Sequence, residues 1–265
     1  VMRYALARQS GVALRFYLRQ LHALGAELSL SSRLTKITDS LKQLADQSGD
    51  ASPQRADEPY RRAITGLYAR LAATYVKLTG EQPPVPASTR GDAYAGPAAF
   101  KADLEIVLQS LLQNHGEAFV TGPLPDLIRA VDVFGFHLAA LDMRQNSAIH
   151  GRVVAELLKA AGVTDDYEKL EEAKRCDLLL TELSHARPLA SPFAVYSEET
   201  QRELGTLRAA AEAKGSFGPE VMRNYIISNT QSVSDLLEVF TLLKEVGLFR
   251  PGENIIAALA YNFGI

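Results

Sequence analysis

Apolar side chains recur every three or four residues along most of this chain, a spacing that predicts amphipathic α-helices. The pattern is clear over residues 4–44, where it predicts one or two helices with a bend near Gly25. Further helices are predicted at about residues 60–78, 97–114, 126–133, 148–161, 167–185, 197–214 and 232–247. The predicted fold class is therefore mainly α, with helical layers.

Two stretches, residues 134–144 and 223–228, have the composition of β-strands instead. In the first, alternation places one set of side chains on a single face: Phe134, Phe136, Leu138, Ala140, Asp142 and Arg144. Both faces are mostly apolar, which predicts burial on both sides, as in a parallel sheet or barrel. A helix follows each strand. Because a barrel needs about eight strands, we expect a partial, incomplete parallel β/α barrel.

The division of the chain follows from these elements. Residues 1–130 are predicted to form a helical region, with surface loops at 47–57 and 79–96 that are rich in glycine, proline and polar residues. Residues 131–265 are predicted to form the partial barrel with its covering helices. We expect the two regions to form one structural unit cut from a longer enzyme.

Composition limits the classes of function. The formal net charge of -3 and the isoelectric point near 6.0 give no basic surplus, which argues against nucleic acid as a partner. A single cysteine excludes an internal disulfide framework and favours a reducing, cytoplasmic location. No apolar window approaches the roughly 20 residues that span a bilayer, so no membrane association is expected.

The strongest candidate for chemistry is Arg144, at the end of the first predicted strand. A guanidinium beside the start of the next helix can hold a phosphate or carboxylate. A structural salt bridge to Asp142, two residues back on the same face, explains it equally well. Gln145 and Asn146 fit a loop hydrogen bond or a helix cap better than a binding role.

Other catalytic motifs are not found in the sequence. The five histidines lack metal-binding spacing, and neither a phosphate-binding loop nor a dinucleotide-binding glycine motif occurs. His137 is expected to be a core residue, and His150, in the first turn of its helix, to be neutral. We therefore predict neither a metal ligand nor a catalytic residue in this chain.

Five phrases, in order, resemble the phosphoenolpyruvate carboxylase family. They are LHALGAELSLSSRL (21–34), EPYRRAITGLYARLAAT (58–74), VFGFHLAALDMRQNSAIH (133–150), ELSHARPL (182–189) and NYIISNTQSVSDLLEVFTLLKEVGL (224–248). The combination covers nearly the whole chain and is more specific than any single phrase. It is similar to the central third of a bacterial enzyme about three times longer.

The resemblance implies a cytoplasmic, largely helical lyase, built on an eight-stranded barrel and active as a homotetramer. Such an enzyme carboxylates phosphoenolpyruvate with bicarbonate to oxaloacetate and phosphate, with Mg²⁺ or Mn²⁺ as cofactor. This carbon dioxide fixation feeds the tricarboxylic acid cycle. The family's phosphoenolpyruvate-binding arginine matches Arg144, with Gln145 as a possible further contact and Asp142 as an orienting partner.

Several motifs of the family are missing from this sequence. The family's Thr-Ala-His-Pro-Thr phrase with the catalytic histidine is not found here, nor are its metal carboxylates or glycine-rich arginine loops. The fragment alone is therefore expected to be inactive. Residues 249–265 lack the family's Phe-Glu-Thr phrase and are expected to be helical or poorly ordered. The alternative is a non-enzymatic α-helical scaffold or interaction module, whose strands pair with each other or with a partner.

Overall fold

The fold is taken from a computed structural model that describes residues 1–115 and 121–250, together with the backbone of residues 257–261. The chain divides into two compact units. One comprises Val1 and Arg3–Ala139, and the other comprises Met2 and Ala140–Ile265. Within the described residues, no helix has both the length and the apolar character that a membrane span requires.

The first unit is helical. Its helices are α1 (Met2–Glu27), α2 (Asp39–Asp46), α3 (Pro59–Thr79), α4 (Pro97–His115) and α5 (Pro123–Phe134). Their apolar faces form one buried cluster that includes Leu14, Tyr60, Leu67 and Phe100. The predicted helix pattern over residues 4–44 is thus two helices, α1 and α2. A short 3₁₀ turn, Pro53–Arg55, interrupts the loop before α3.

The second unit combines helices with a small sheet. Its elements are β1 (Met143–Asn146), α6 (Ser147–Ala160), α7 (Glu172–Ser184), α8 (Glu198–Phe217), β2 (Asn224–Ser228), α9 (Val233–Glu245) and β3 (Ala257–Tyr261). The helix cap predicted at Asn146 is confirmed, and α9 begins with a capping box. Asn146 accepts a hydrogen bond from the Ala148 amide, and Asp235 accepts one from the Ser232 amide.

The three strands form one parallel sheet in the order β1-β2-β3. Arg144 is paired with Ile226 in the β1–β2 register. Burial differs between the two faces of β1: Met143 is buried, whereas Arg144 is exposed. The mainly α fold with a partial, barrel-like parallel portion is confirmed, but the expected burial of both strand faces is not.

The predicted strand over residues 134–144 is wrong in most of its length. Phe134 ends α5, Gly135 has a φ of 55°, and β1 begins only at Met143. The Tyr17 hydroxyl lies 3.1 Å from the Ala130 carbonyl oxygen and 2.9 Å from that of Gly135. Because this hydroxyl donates its proton to a carbonyl at the helix end, the turn of the backbone there is stabilised over an extended strand.

Of the apolar side chains directly after that turn, Phe136 belongs to the core of the first unit, whereas Leu138 is exposed. Phe136 is buried, and its ring centre lies 6.3 Å from that of Phe100. The Ala139 amide donates to the Gln9 side chain at 2.9 Å. Periodicity indicated a strand here because alternation along the chain does not reveal which partner a backbone amide finds.

The tail also departs from expectation. Residues 257–261 form β3, which pairs in parallel with β2, whereas a helical or poorly ordered tail was expected. A short apolar run such as AALAY fits a buried helix and a strand equally well by periodicity. Pairing satisfies the backbone groups along the edge of β2. The remaining tail residues, 251–256 and 262–265, lie outside the described part of the chain.

Candidate functional site

The carboxyl ends of β1 and β2 lie at one edge of the sheet because the two strands are parallel. The helix α6 begins directly after β1, and α9 begins at Val233, shortly after β2 ends. Two helix N-termini therefore follow this edge. In open and closed α/β sheets, this is the edge at which ligands bind, because loops and helix N-termini converge there.

Arg144 lies on β1 and is exposed. Its neighbours along the strand, Met143 and Gln145, point to the opposite face because side chains alternate. The carboxylate of Asp142, the predicted orienting partner, accepts a hydrogen bond from the Asn224 side chain at 3.0 Å. This bond joins the segment before β1 to the start of β2. The pairing of Asp142 with Arg144 stays a prediction.

Gln145 lies on the helix-covered face of the sheet, where its amide is engaged. Its Nε2 donates to Glu203 on α8 at 2.9 Å, and its Oε1 accepts from the Asn146 amide at 2.9 Å. Both ends of the amide thus have protein partners. A substrate contact by Gln145 stays a prediction.

A buried polar cluster lies on the same face as Gln145. The Tyr225 hydroxyl donates to Glu203 at 3.3 Å, and the His150 Nε2 lies 2.8 Å from that hydroxyl. Burial lowers the pKa of His150 to about 4, so the ring is neutral at neutral pH, as the sequence predicted. Burial, followed by the charge of Glu203, raises the pKa of Tyr225.

The sequence analysis did not identify Glu203 or Tyr225. A signal was available: Thr200, Glu203, Leu207 and Ala210 follow one another at helical spacing and all are buried. A glutamate on the apolar stripe of a helix needs a buried hydrogen-bonding partner. The partners themselves, on β1 and β2, could not be read from that spacing.

A second polar feature is an open cavity of about 810 Å³ whose lining includes Gly151, Arg152, Tyr167, Arg175 and Glu238. Burial raises the pKa of Glu238 to about 7, although the Tyr167 hydroxyl donates to its Oε1 at 2.8 Å. None of the three predicted site residues is among the described residues that line this cavity.

Sequence comparisons identify the family. The model of the phosphoenolpyruvate carboxylase family matches residues 1–260. The chain belongs to the phosphoenolpyruvate carboxylase family. It is 51% identical over 253 residues to a phosphoenolpyruvate carboxylase of Ralstonia nicotianae, 51% over 256 residues to one of Aromatoleum aromaticum, and 53% over 251 residues to one of Rhodopseudomonas palustris. The resemblance seen in the five phrases is thereby confirmed.

The alignments cover the chain and its relatives unequally. They include 96%, 97% and 95% of this chain, but only 26%, 28% and 27% of the three relatives. The chain thus spans about a quarter of their length rather than the expected third. The activity of the whole enzyme is accordingly a matter for proposal.

Proposed function

We propose that this chain is the central part of a phosphoenolpyruvate carboxylase and supplies a substrate-binding arginine to it. The whole enzyme would convert phosphoenolpyruvate and bicarbonate to oxaloacetate and phosphate in the cytoplasm, as a homotetramer, and so feed the tricarboxylic acid cycle. The observation that carries the proposal is the family match over residues 1–260.

Arg144 is the residue to which we assign phosphoenolpyruvate binding. Its exposed side chain, its place on a strand that runs to the carboxyl edge of the sheet, and the start of α6 at Ser147 support this role. A guanidinium donates two parallel hydrogen bonds to a phosphate or carboxylate, and the N-terminal end of a helix adds positive potential. Asp142 would orient the strand through Asn224, and Gln145 would hold the strand from the opposite face through Glu203.

The divalent metal that the family implies does not fit the residues described here. Residues 1–115 and 121–250 contain no group of three or more histidine, cysteine, aspartate or glutamate side chains able to hold a metal ion. We therefore assign the Mg²⁺ or Mn²⁺ ligands, together with the catalytic histidine, to the rest of the enzyme. Without them, the isolated chain should be inactive.

The test is Arg144→Ala in the full-length protein that contains this chain. Loss of a charged contact to a phosphate, worth about 1.5–3 kcal/mol, should lower kcat/KM for phosphoenolpyruvate roughly 10- to 100-fold. Arg144→Lys should recover part of this loss because it keeps the charge but not the paired geometry. Bicarbonate-dependent oxaloacetate formation is the measurement.

Two controls accompany that assay. Arg208→Ala removes an exposed arginine of α8 and should leave the kinetics unchanged. The isolated 265-residue chain should form no oxaloacetate. Unchanged kinetics in Arg144→Ala would return this arginine to a structural role, and turnover by the isolated chain would refute the assignment of catalytic groups to the rest of the enzyme.

A further inference from the structure

Four side chains of the second unit form a continuous hydrogen-bonded series beneath the sheet. Gln145 Nε2 donates to Glu203 Oε2 at 2.9 Å, Tyr225 Oη donates to Glu203 Oε1 at 3.3 Å, and His150 Nε2 lies 2.8 Å from Tyr225 Oη. His150, Tyr225 and Glu203 are at most 5% exposed. Each member comes from a different element: Gln145 lies on β1, Glu203 on α8, Tyr225 on β2 and His150 on α6.

The direction of these bonds is determined by the donors available. The single proton of Tyr225 goes to Glu203, so the tyrosine oxygen must accept from His150. A neutral imidazole can do this only as the Nε2–H tautomer, which leaves Nδ1 bare, and Nδ1 is buried with no hydrogen-bond partner within the described residues. His150 therefore donates to Tyr225, Tyr225 donates to one oxygen of Glu203, and Gln145 donates to the other.

Glu203 thus fastens two neighbouring strands to α8 at one point. It holds β1 through Gln145 and β2 through Tyr225, and β1 pairs with β2 along the same stretch. Gln145 directly follows Arg144 in the chain, and the two side chains point to opposite faces of β1. Any shift of Gln145 therefore moves the backbone that carries Arg144.

From this arrangement, we infer that Glu203 is a positioning residue, which fixes Arg144 for phosphoenolpyruvate by holding Gln145 and Tyr225 on the opposite face of the sheet. The inference rests on the proposed function. Burying a carboxylate costs free energy, and apolar residues of similar size would pack as well. Three directed hydrogen bonds, however, allow only one arrangement of β1 and β2.

The same unit offers a matched control. Tyr167 donates to the buried Glu238 at 2.8 Å, in the same way that Tyr225 donates to Glu203. Glu238 lies on α9 and Tyr167 lies in a 3₁₀ turn, so neither belongs to β1 or β2. Tyr167→Phe and Tyr225→Phe each remove one hydroxyl from a buried glutamate, but only Tyr225→Phe releases a strand.

The experiment is carried out in the full-length protein. Tyr225→Phe and Glu203→Gln should each raise KM for phosphoenolpyruvate about tenfold, with kcat changed less than about threefold, because Arg144 is displaced but retained. In Glu203→Gln, the side chain has one acceptor oxygen instead of two, so either Gln145 Nε2 or the Tyr225 hydroxyl loses its acceptor. Tyr167→Phe should also lower the melting temperature but leave KM unchanged.

An exchange of the two partners gives the decisive variant. Gln145→Glu alone sets two carboxylates against each other and should raise KM, whereas Gln145→Glu with Glu203→Gln restores a donor opposite an acceptor. In the double variant, the amide now on α8 would donate to the carboxylate now on β1 and still accept from Tyr225. KM should return to within about twofold of the parent value, since each hydrogen bond is again satisfied.

The outcomes separate the two proposals. If the parent protein turns over substrate but Tyr225→Phe and Glu203→Gln leave KM unchanged while lowering the melting temperature, Glu203 is purely structural and the inference fails alone. Failure of the exchange to restore KM would also refute it. If the parent forms no oxaloacetate, the proposed function fails and the inference falls with it. If Glu203→Gln does not fold, the comparison of Tyr225→Phe with Tyr167→Phe and the double exchange variant still test the role of Glu203.

Discussion

The two units bury different kinds of side chain. The first is built on a continuous apolar cluster from Ala13 to Phe136, and its one buried carboxylate among the described residues, Asp50, accepts two hydrogen bonds from Arg55. The second unit buries Glu182, Glu203 and Glu238 together with His150. The difference between the units lies in their buried acids, because both units also bury serine, threonine and histidine side chains.

The partners of two of these glutamates differ from the partner of Asp50, whereas Glu182, like Asp50, accepts a hydrogen bond from an arginine, Arg187, at 2.9 Å. Asp50 has a cation, and the hydrogen bond from Arg55 lowers its pKa. Glu203 and Glu238 receive hydrogen bonds from the neutral hydroxyls of tyrosines, which cannot offset the loss of hydration as a cation does. The contribution of Glu238 to stability should therefore change with pH in the neutral range, whereas that of Asp50 should not.

The largest expected effect tests the packed core of the first unit. Leu67, fully buried on α3, belongs to the apolar cluster. Leu67→Ala should lower the free energy of unfolding by about 2–5 kcal/mol, because transfer energy is lost and a cavity remains. Denaturant unfolding at pH 5 and pH 8 should give the same loss, since the site has no titratable group.

The control for this change is Val76→Ala, on the same helix but 37% exposed, which should cost less than about 1 kcal/mol. A loss in Leu67→Ala that depends strongly on pH would show that the first unit also relies on titrating groups, and the contrast between the units would disappear.

The helices of the first unit were predicted well from the sequence, whereas the first predicted strand was not. Helices with an apolar stripe, such as α3 and α4, were predicted close to their bounds because local spacing determines the buried face. The strand over residues 134–144 was misplaced because Tyr17, more than 100 positions away, satisfies the turn at Gly135. Elements set by distant partners cannot be read from local alternation.

For the candidate site, the sequence supplied Arg144 as the proposed substrate-binding residue, but not the side chains that hydrogen-bond to its strand. Glu203 lies on a predicted helix, Tyr225 on a predicted strand and His150 on another helix, and only folding brings them together. The helix or strand that carries each residue could be predicted from the sequence, whereas the hydrogen bonds between the three side chains depend on tertiary contacts.

The next largest effect concerns Glu238, whose pKa in the folded protein is raised to about 7 from 4.5. Between these pH values, the folded state binds more protons than the unfolded state. The contribution of Glu238 to stability therefore falls as pH rises. Between pH 5 and pH 8 this change amounts to about 2–3 kcal/mol. Glu238→Gln should remove it and be relatively more stable at pH 8.

Thermal or denaturant unfolding across that pH range, on parent and variant, provides the measurement. Gln can still accept the Tyr167 hydrogen bond, so the variant changes the charge and keeps the contact. A difference between parent and variant that stays constant from pH 5 to pH 8 would mean that Glu238 does not titrate in the neutral range.

The smallest effect, and the one that sharpens the comparison most, concerns His150. Burial lowers its pKa from 6.5 to about 4, so the unfolded state binds more protons between these values and the stability contribution rises with pH. From pH 5 to pH 7 the rise should be about 2 kcal/mol.

The pH dependence of the His150 contribution has the opposite sign to that of Glu238 over the same range, so the parent should show a flatter profile than either single variant. His150→Gln, which is neutral throughout, should therefore reveal the downward slope of Glu238 in unfolding measured from pH 5 to pH 7. The double variant with Glu238→Gln should be flat again, and a slope that persists there would place the titrating groups elsewhere in the chain.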